Sequence, residues 1–386
     1  MKIRFTHLVL QNWKNFREVD LPLQQRMFFV GPNASGKSNL LDAFHFLRDL
    51  ATPKGGLATA LDTRGGMPHL RNLHASSSKS EVVLHAQLLI DAIPWEYELA
   101  LSGTVKKPFS IGREIVRREG TVLLQRPDVE DQRDRRRLEQ THLEQLSQNS
   151  AFRDLAEGLA STQFVHVVPQ LARAPELRTS LEALRDSPGS NFIEELAGLQ
   201  EKSLKRRLRT LERLLVVAVP QFDKLRIVRE KKSGQPHLEA RYSHWRARGS
   251  WQNEREFSDG TLRLIGLLWA ILEGAPPLVL EEPELSLHEA VVAELPGLLH
   301  AAAGRRGCQI LVSTHALSMM SAPGLDPSEI VLLHPSPLGT KAVLASEDPA
   351  IVLEAKADLP LRESISASTR PADVAQLALP LSHGAF

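Results

Sequence analysis

Residues 31–38 read GPNASGKS, behind the apolar run MFFV (27–30) and ahead of NLLDAFHFL (39–47). Gly31, Gly36, Lys37 and Ser38 fit G-x-x-x-x-G-K-S in full, in the strand–loop–helix context that the chemistry requires. Glycines let the backbone N–H groups of Asn33, Ala34, Ser35 and Gly36 wrap phosphates. The helix N-terminus, opened by Lys37, Ser38 and Asn39, adds a positive partial charge. Lys37 would pair the β- and γ-phosphates, and the Ser38 hydroxyl would bind Mg²⁺.

Three distal segments complete the pattern: FSDGT (257–261), LVLEEPE (278–284) and LVSTH (311–315). Leu278–Leu280 reads as a buried strand capped by Glu281 and Glu282, with Pro283 ending it. Two carboxylates at a strand's carboxyl end face the crevice where ligands bind in open α/β sheets. The first would hold Mg²⁺, and the second would polarise an attacking water as general base. Alone, Ser258 and Asp259 would be a helix N-cap, and His315 a structural histidine after a strand. The order of the four segments favours a joint role.

Outward from these motifs, strands are expected at Lys2–Leu10 and Arg26–Val30, a helix at Lys37–Leu50, and a Gly-rich loop at 53–66. An antiparallel meander is expected over 81–125. From about Pro127 to Ala218 the chain turns rich in Leu, Glu, Gln and Arg. It reads as helical, interrupted by a short strand ending near Gln170 and a turn at 186–191; Glu201–Ala218 is the clearest helix. Strands return at Lys224–Glu230 and His237–Tyr242. A helix at Thr261–Glu273, a strand at Leu278–Glu281, a helix at Ser286–Ala303, and strands at Gln309–Ser313 and Glu329–His334 follow. The expected organisation is 1–126 and 219–345 as two parts of one head, 127–218 as a helical insertion, and 346–386 as a partly disordered tail.

At 386 residues, with 42% hydrophobic and 24% charged, the composition is that of a soluble globular chain. A net charge of +1 makes any nucleic-acid surface local. A single cysteine, Cys308, excludes an internal disulfide framework and a cysteine-based metal cluster, and fits a cytoplasmic protein. The longest apolar stretch, Leu264–Leu272, is far short of the ~20 residues that cross a bilayer, so no membrane association is expected.

Taken together, LQNWKNFREVDL (10–21), GPNASGKSNLLDAF (31–44), FSDGTLRLIGLL (257–268), LVLEEPELSLHEA (278–290) and ILVSTH (310–315) resemble the ABC-type ATPases of the SMC/RecF/OLD group, the head-domain ATPases of DNA repair and phage defence. The resemblance implies an α/β fold, a P-loop NTPase of ABC-ATPase head type. It would have a mixed sheet, an antiparallel meander and a helical insertion. The implied cofactors are ATP and Mg²⁺. Ser258 and Gly260 of one subunit would cap the γ-phosphate held by another. His315 would be the switch histidine, Glu281 the Mg²⁺ acid and Glu282 the catalytic base. Lys14 stands where relatives place a basic residue near the nucleotide. Gln170 would be the glutamine that senses Mg²⁺ and water, although VVPQLARAP departs from the usual pattern.

The resemblance implies an ATP-sandwich homodimer, or a higher oligomer, serving anti-phage defence or DNA repair. DNA is a candidate partner: Lys224, Arg226, Arg229, Lys231, Lys232, Arg241, Arg246 and Arg248 interleave with Tyr242, Trp245 and Trp251. A pair of solvated strands explains that cluster equally well. No second catalytic centre is legible, which points to a separate effector protein such as a nuclease. Two competing readings are a transporter's ATPase subunit, against which FSDGT and LQNWKNF argue, and a nucleotide-gated scaffold with negligible turnover.

Overall fold

The computed structural model describes residues 1–52, 55–75, 80–104, 107–174, 191–243, 250–273 and 277–370. Its centre is a six-stranded sheet built around the strand that feeds the GPNASGKS loop. In chain order the strands are β1 (Ile3–Trp13), β2 (Phe16–Pro22), β3 (Arg26–Val30), β4 (Val82–Ile90), β5 (Ile93–Thr104), β6 (Lys107–Arg118), β7 (Thr121–Arg126), β8 (Gln163–Val165), β9 (Phe222–Arg229), β10 (Pro236–Tyr242), β11 (Ser250–Asn253), β12 (Leu278–Glu281), β13 (Ile310–Thr314), β14 (Ile330–Ser336) and β15 (Gly339–Leu344).

The central sheet runs β15-β14-β3-β13-β12-β8. All its pairings are parallel except that of β15 with β14. Parallel strands buried on both faces read as continuous apolar runs rather than alternations. That is how RMFFV and ILVST are written, with every residue of β3 and β13 buried.

One face of this sheet carries the helix Lys37–Ala51, which packs through Leu40, Phe44 and Leu47 against Met27, Phe29 and Leu311. Beyond that helix lies a second, antiparallel sheet, β2-β1-β4-β5-β6-β7, whose Phe5, Leu8 and Leu10 belong to the same core. The Phe5 and Phe44 rings meet edge to face at 5.0 Å. The opposite face holds Phe28, Val30, Leu280 and Val312 against Val292, Leu295 and Leu299 of the helix Glu289–Arg306. A third core joins the helices Phe192–Gly198 and Glu201–Ala218, the small sheet β11-β10-β9, and the helix Asp259–Glu273.

The expected meander is four strands, β4 to β7. It is joined by β1 and, through β1, by β2, a strand not expected from the sequence. The expected loop at 53–66 contains a helix at Leu57–Asp62. The chain after Leu344 is not a bare tail. Helices at Pro349–Lys356 and Arg362–Thr369 bury Ile351 and Ile365 completely against the central core. Residues 371–386 of the expected tail, and 186–190 of the expected turn, lie outside the described residues.

The stretch after β7 is clamped by one buried cation. Arg126, 1% exposed, grips both oxygens of Asp131 at 2.9 and 2.8 Å and donates to Glu114 at 2.9 Å. It also donates to the carbonyls of Arg137 and Gln140. Burial raises the Glu114 carboxyl above its usual range, more than Arg126 lowers it.

Candidate nucleotide-binding site

Strand register assembles the site. Val30 pairs with Thr314, and Ser313 pairs with Glu281. The parallel strands β3, β13 and β12 therefore end together, and the next residues are Gly31, His315 and Glu282. A crevice beyond the carboxyl ends of parallel strands is where open α/β sheets bind ligands.

The cradle has the backbone that phosphate binding needs. Ala34 and Gly36 lie at φ 62° and 97°, in the left-handed region that turns successive N–H groups inward as an anion nest. Lys37 is 5% exposed, and its Nζ donates to the carbonyls of Gly31 and Pro32 at 3.0 and 3.2 Å. It also stands 3.7 Å from Glu282 Oε1. The Ser35 Oγ is buried, with no hydrogen-bond partner among the described residues.

Two residues outside the motif hold the loop from behind. Asn15 Nδ2 donates to the Ser35 carbonyl at 3.2 Å and to Thr340 Oγ1 at 2.8 Å, while its Oδ1 accepts from Asn39 at 2.8 Å. Thr340 Oγ1 donates to the same Ser35 carbonyl at 2.8 Å. The β1–β2 turn and the β14–β15 hairpin thus pin one carbonyl of the cradle. Sequence reading singled out Lys14 and passed over both; the asparagine beside it was the only signal.

Lys14 does border the cradle. With Asn15, Ala34 and Asn39 it lines a cavity of about 540 Å³ that also meets Arg64, Arg71 and His69. Its ammonium pairs with Asp42 at 2.6 Å. Burial pushes the Asp42 carboxyl up, but Arg64 and Lys14 outweigh it and hold it below the usual carboxylate range. On the same helix, burial and then Arg48 lower the His45 imidazole to about 3, so it stacks neutral on Phe164 with 3.3 Å between ring centroids.

Glu281 ends β12, and Glu282 begins a tight turn at φ 43°. The Glu282 N–H donates to the Ser313 carbonyl at 3.0 Å. His315 Nδ1 lies 3.4 Å from Glu282 Oε1 and 3.4 Å from Glu284 Oε1. Ser38 is exposed and Glu281 half-buried, and both offer only oxygen donors, the set that magnesium takes together with phosphates and water.

Gln170 and Ser258 belong to elements other than the cradle. The expected strand ends at Val165, and Gln170 is exposed in the short helix Pro169–Arg173. Proline lacks the N–H a ladder needs and its fixed φ suits a first helical turn, so Pro169 converts the segment. No hydrogen bond ties the Gln170 side chain to the cradle among the described residues. Ser258 caps the helix Asp259–Glu273, its Oγ accepting from the Thr261 N–H at 3.1 Å. Arg173 holds this turn through the Phe257 carbonyl at 2.6 Å and Asp259 at 2.6 Å. The cradle helix is packed in one core and the SDG helix mainly in another.

Part of the basic–aromatic cluster is paired internally, while Lys224, Lys231 and Lys232 are exposed. Arg226 lies 3.8 Å over the Trp251 ring and pairs with Glu239 at 2.6 Å, and Arg241 pairs with Asp223. One face of Trp251 is therefore already covered. Trp245, Arg246 and Arg248 lie outside the described residues.

The family model described as AAA domain, putative AbiEii toxin, Type IV TA system matches residues 26–321. The chain belongs to this family. Two relatives share the name DNA replication and repair protein RecF. That of Lactobacillus acidophilus is 34% identical over 85 residues, 22% of each chain. That of Roseiflexus castenholzii is 38% identical over 52 residues, 13% of each. The matched stretch is thus under a quarter of the length of these curated relatives. Among solved structures, the Smc head domain of Pyrococcus furiosus, bound to the C-terminal domain of ScpA, gives a TM-score of 0.53 at 14% identity over 92% of this chain and 100% of that one. An SmcHead bound to the C-winged helix domain of ScpA gives 0.50 at 15% identity over 88% and 96%. This AAA domain therefore has the mixed α/β fold of the ABC-type ATPase head. No helix among its described residues is long and apolar enough to cross a membrane.

Proposed function

We propose that this AAA domain binds and hydrolyses ATP between two copies of itself, and that the nucleotide-driven assembly regulates a DNA-directed process, anti-phage defence or repair, through a separate effector in the cytoplasm. The observation that carries the reading is the common end of β3, β12 and β13. It gathers the cradle, two carboxylates and His315, with Lys37 Nζ 3.7 Å from Glu282.

The phosphates take the Asn33–Ser38 N–H groups, and Lys37 leaves the Gly31 and Pro32 carbonyls for them. The nucleoside occupies the cavity beside Lys14 and Asn15. Glu282 accepts a proton from the attacking water, a task that requires hydrogen-bond reach of it. His315 contacts the γ-phosphate. A magnesium ion bound by Ser38 and Glu281 would neutralise phosphate charge. Ser258 and Gly260 of a second copy cap the γ-phosphate, excluding water and strengthening each polar contact.

Phosphate release by the purified chain tests the catalytic half. Turnover is expected in the parent, and loss of both nucleotide binding and turnover in Lys37→Ala. A parent that binds ATP but releases no phosphate would leave the scaffold reading in its place.

A further inference from the structure

The EEPE run holds a third acidic residue beyond the two assigned to chemistry. Glu284 is 6% exposed. Its Oε1 accepts from Thr314 Oγ1 at 2.7 Å and from the His315 backbone N–H at 3.0 Å. Thr314 Oγ1 in turn accepts from the Ala316 N–H at 2.9 Å. His315 Nδ1 lies 3.4 Å from the same carboxylate oxygen. One buried oxygen thus holds the side chain, backbone and ring at the carboxyl end of β13.

The other end of Glu284 is equally fixed. Its carbonyl accepts from the Leu287 N–H at 3.0 Å, and the Glu282 carbonyl accepts from the Leu285 N–H at 3.2 Å. Glu282 at φ 43° and Ser286 at φ 62° bracket the turn in left-handed backbone. Left-handed backbone is costly for residues with a Cβ and persists only where its surroundings over-determine it. The Glu284 side chain ties this turn to the neighbouring strand through Thr314 and His315.

We propose that Glu284 is a positioning residue: it fixes His315, and the turn that begins at Glu282, in one arrangement at the ends of β12 and β13. Charge-assisted hydrogen bonds are the stronger kind, and a carboxylate is suited to hold two donors on one oxygen. With Nδ1 facing the Glu282 and Glu284 carboxylates, the ring presents Nε2 to a ligand. The catalytic consequence rests on the ATPase reading, whereas the anchoring itself does not.

Hydrogen exchange at the His315 amide in nucleotide-free protein reads the anchor directly. Glu284→Ala is expected to speed that exchange more than tenfold, with core strands unchanged. Glu284→Gln, whose amide oxygen accepts the same two donors, is expected to keep the parent rate within about threefold. In steady-state turnover, Glu284→Ala is expected to lower kcat at least tenfold with ATP binding within threefold of the parent, and Glu284→Gln to restore most of it. In a His315→Ala background the further loss from Glu284→Ala is expected to be smaller than in the parent, the remainder passing through the Glu282 turn. Unchanged exchange at His315 in Glu284→Ala overturns the proposal whatever the turnover. Faster exchange in a parent without turnover leaves the anchor standing and removes the ATPase reading. Equal losses in both backgrounds would show that Glu284 acts independently of His315 and contradict the proposal.

Discussion

Gly260→Ala separates two accounts of the SDG turn by the sign of its effect. Gly260 is the second residue of the helix Asp259–Glu273. A Cβ built there would stand 2.3 Å from the Ser286 carbonyl oxygen, whereas real Cβ atoms essentially never approach another heavy atom within 3.0 Å. The obstacle is backbone, and Ser286 already sits at φ 62°. Either the helix start or the turn after Glu282 must move. Helix propensity alone favours Ala over Gly by roughly 0.5–1 kcal/mol. Overpacking against a fixed neighbour costs about 1–3 kcal/mol. The net expectation is a loss of about 1–2 kcal/mol and a fall of a few degrees in Tm. Because the displaced elements carry Ser258 and Glu282, turnover is expected to fall more than tenfold, about 1.4 kcal/mol in the barrier. ATP binding by the single chain should hold within twofold, since the cradle rests mainly on another core. Circular dichroism melts, phosphate release and equilibrium dialysis make the comparison. A Gly260→Ala protein that melts higher than the parent and turns over ATP at the parent rate would refute the close approach of Gly260 and Ser286.

Other expectations follow from named contacts. Arg126→Ala takes from Glu114 its cation and from Asp131 its bidentate partner, leaving Asp131 only Arg137 as a cation, and should cost about 3–5 kcal/mol in urea unfolding, as breaking one side of a buried ion pair does. Burial lowers His45 to about 3 and His142 to about 4, from the ordinary 6.5. The unfolded chain binds these protons first, so their stabilisation is complete above about pH 6.5 and is lost as pH falls toward 4. Tm should drop less across that window in His45→Gln than in the parent; an equal or steeper drop would contradict the assignment. Asn15→Ala removes the bonds to Ser35, Thr340 and Asn39, and should weaken ATP binding about tenfold by dialysis, the effect of losing one to two net hydrogen bonds.

Much of the frame was legible because its signals are local or periodic. The buried runs RMFFV and ILVST, the alternation of β4 to β7, and the leucine face of Glu201–Ala218 each declare an element without reference to the rest of the chain. The strand–loop–helix around GPNASGKS and the short strand ending at Glu281 were legible because such motifs come with fixed spacing. Illegible were contacts between residues distant in sequence. Asn15 reaches Thr340 across 325 positions, and Glu284 meets Thr314 across 30. Neither pairing leaves a local pattern. Gln170 was misplaced because a short apolar run, VHVV, carries no period to tell where a strand stops; Pro169 decided it. The helices after Leu344 were missed because each is only eight residues long and offers a single fully buried isoleucine, Ile351 or Ile365, as its core signal.

The central claim is that ATP is held between two copies of the chain. Sedimentation velocity of Glu282→Gln, with and without ATP and magnesium, tests it most directly. With Glu282 as the proposed general base, its replacement should preserve binding and block turnover, so the account predicts a dimer with ATP, a monomer without it, and a monomer in both conditions once Ser258 is also replaced by arginine. A Glu282→Gln protein that binds ATP and sediments identically with and without it would contradict the account.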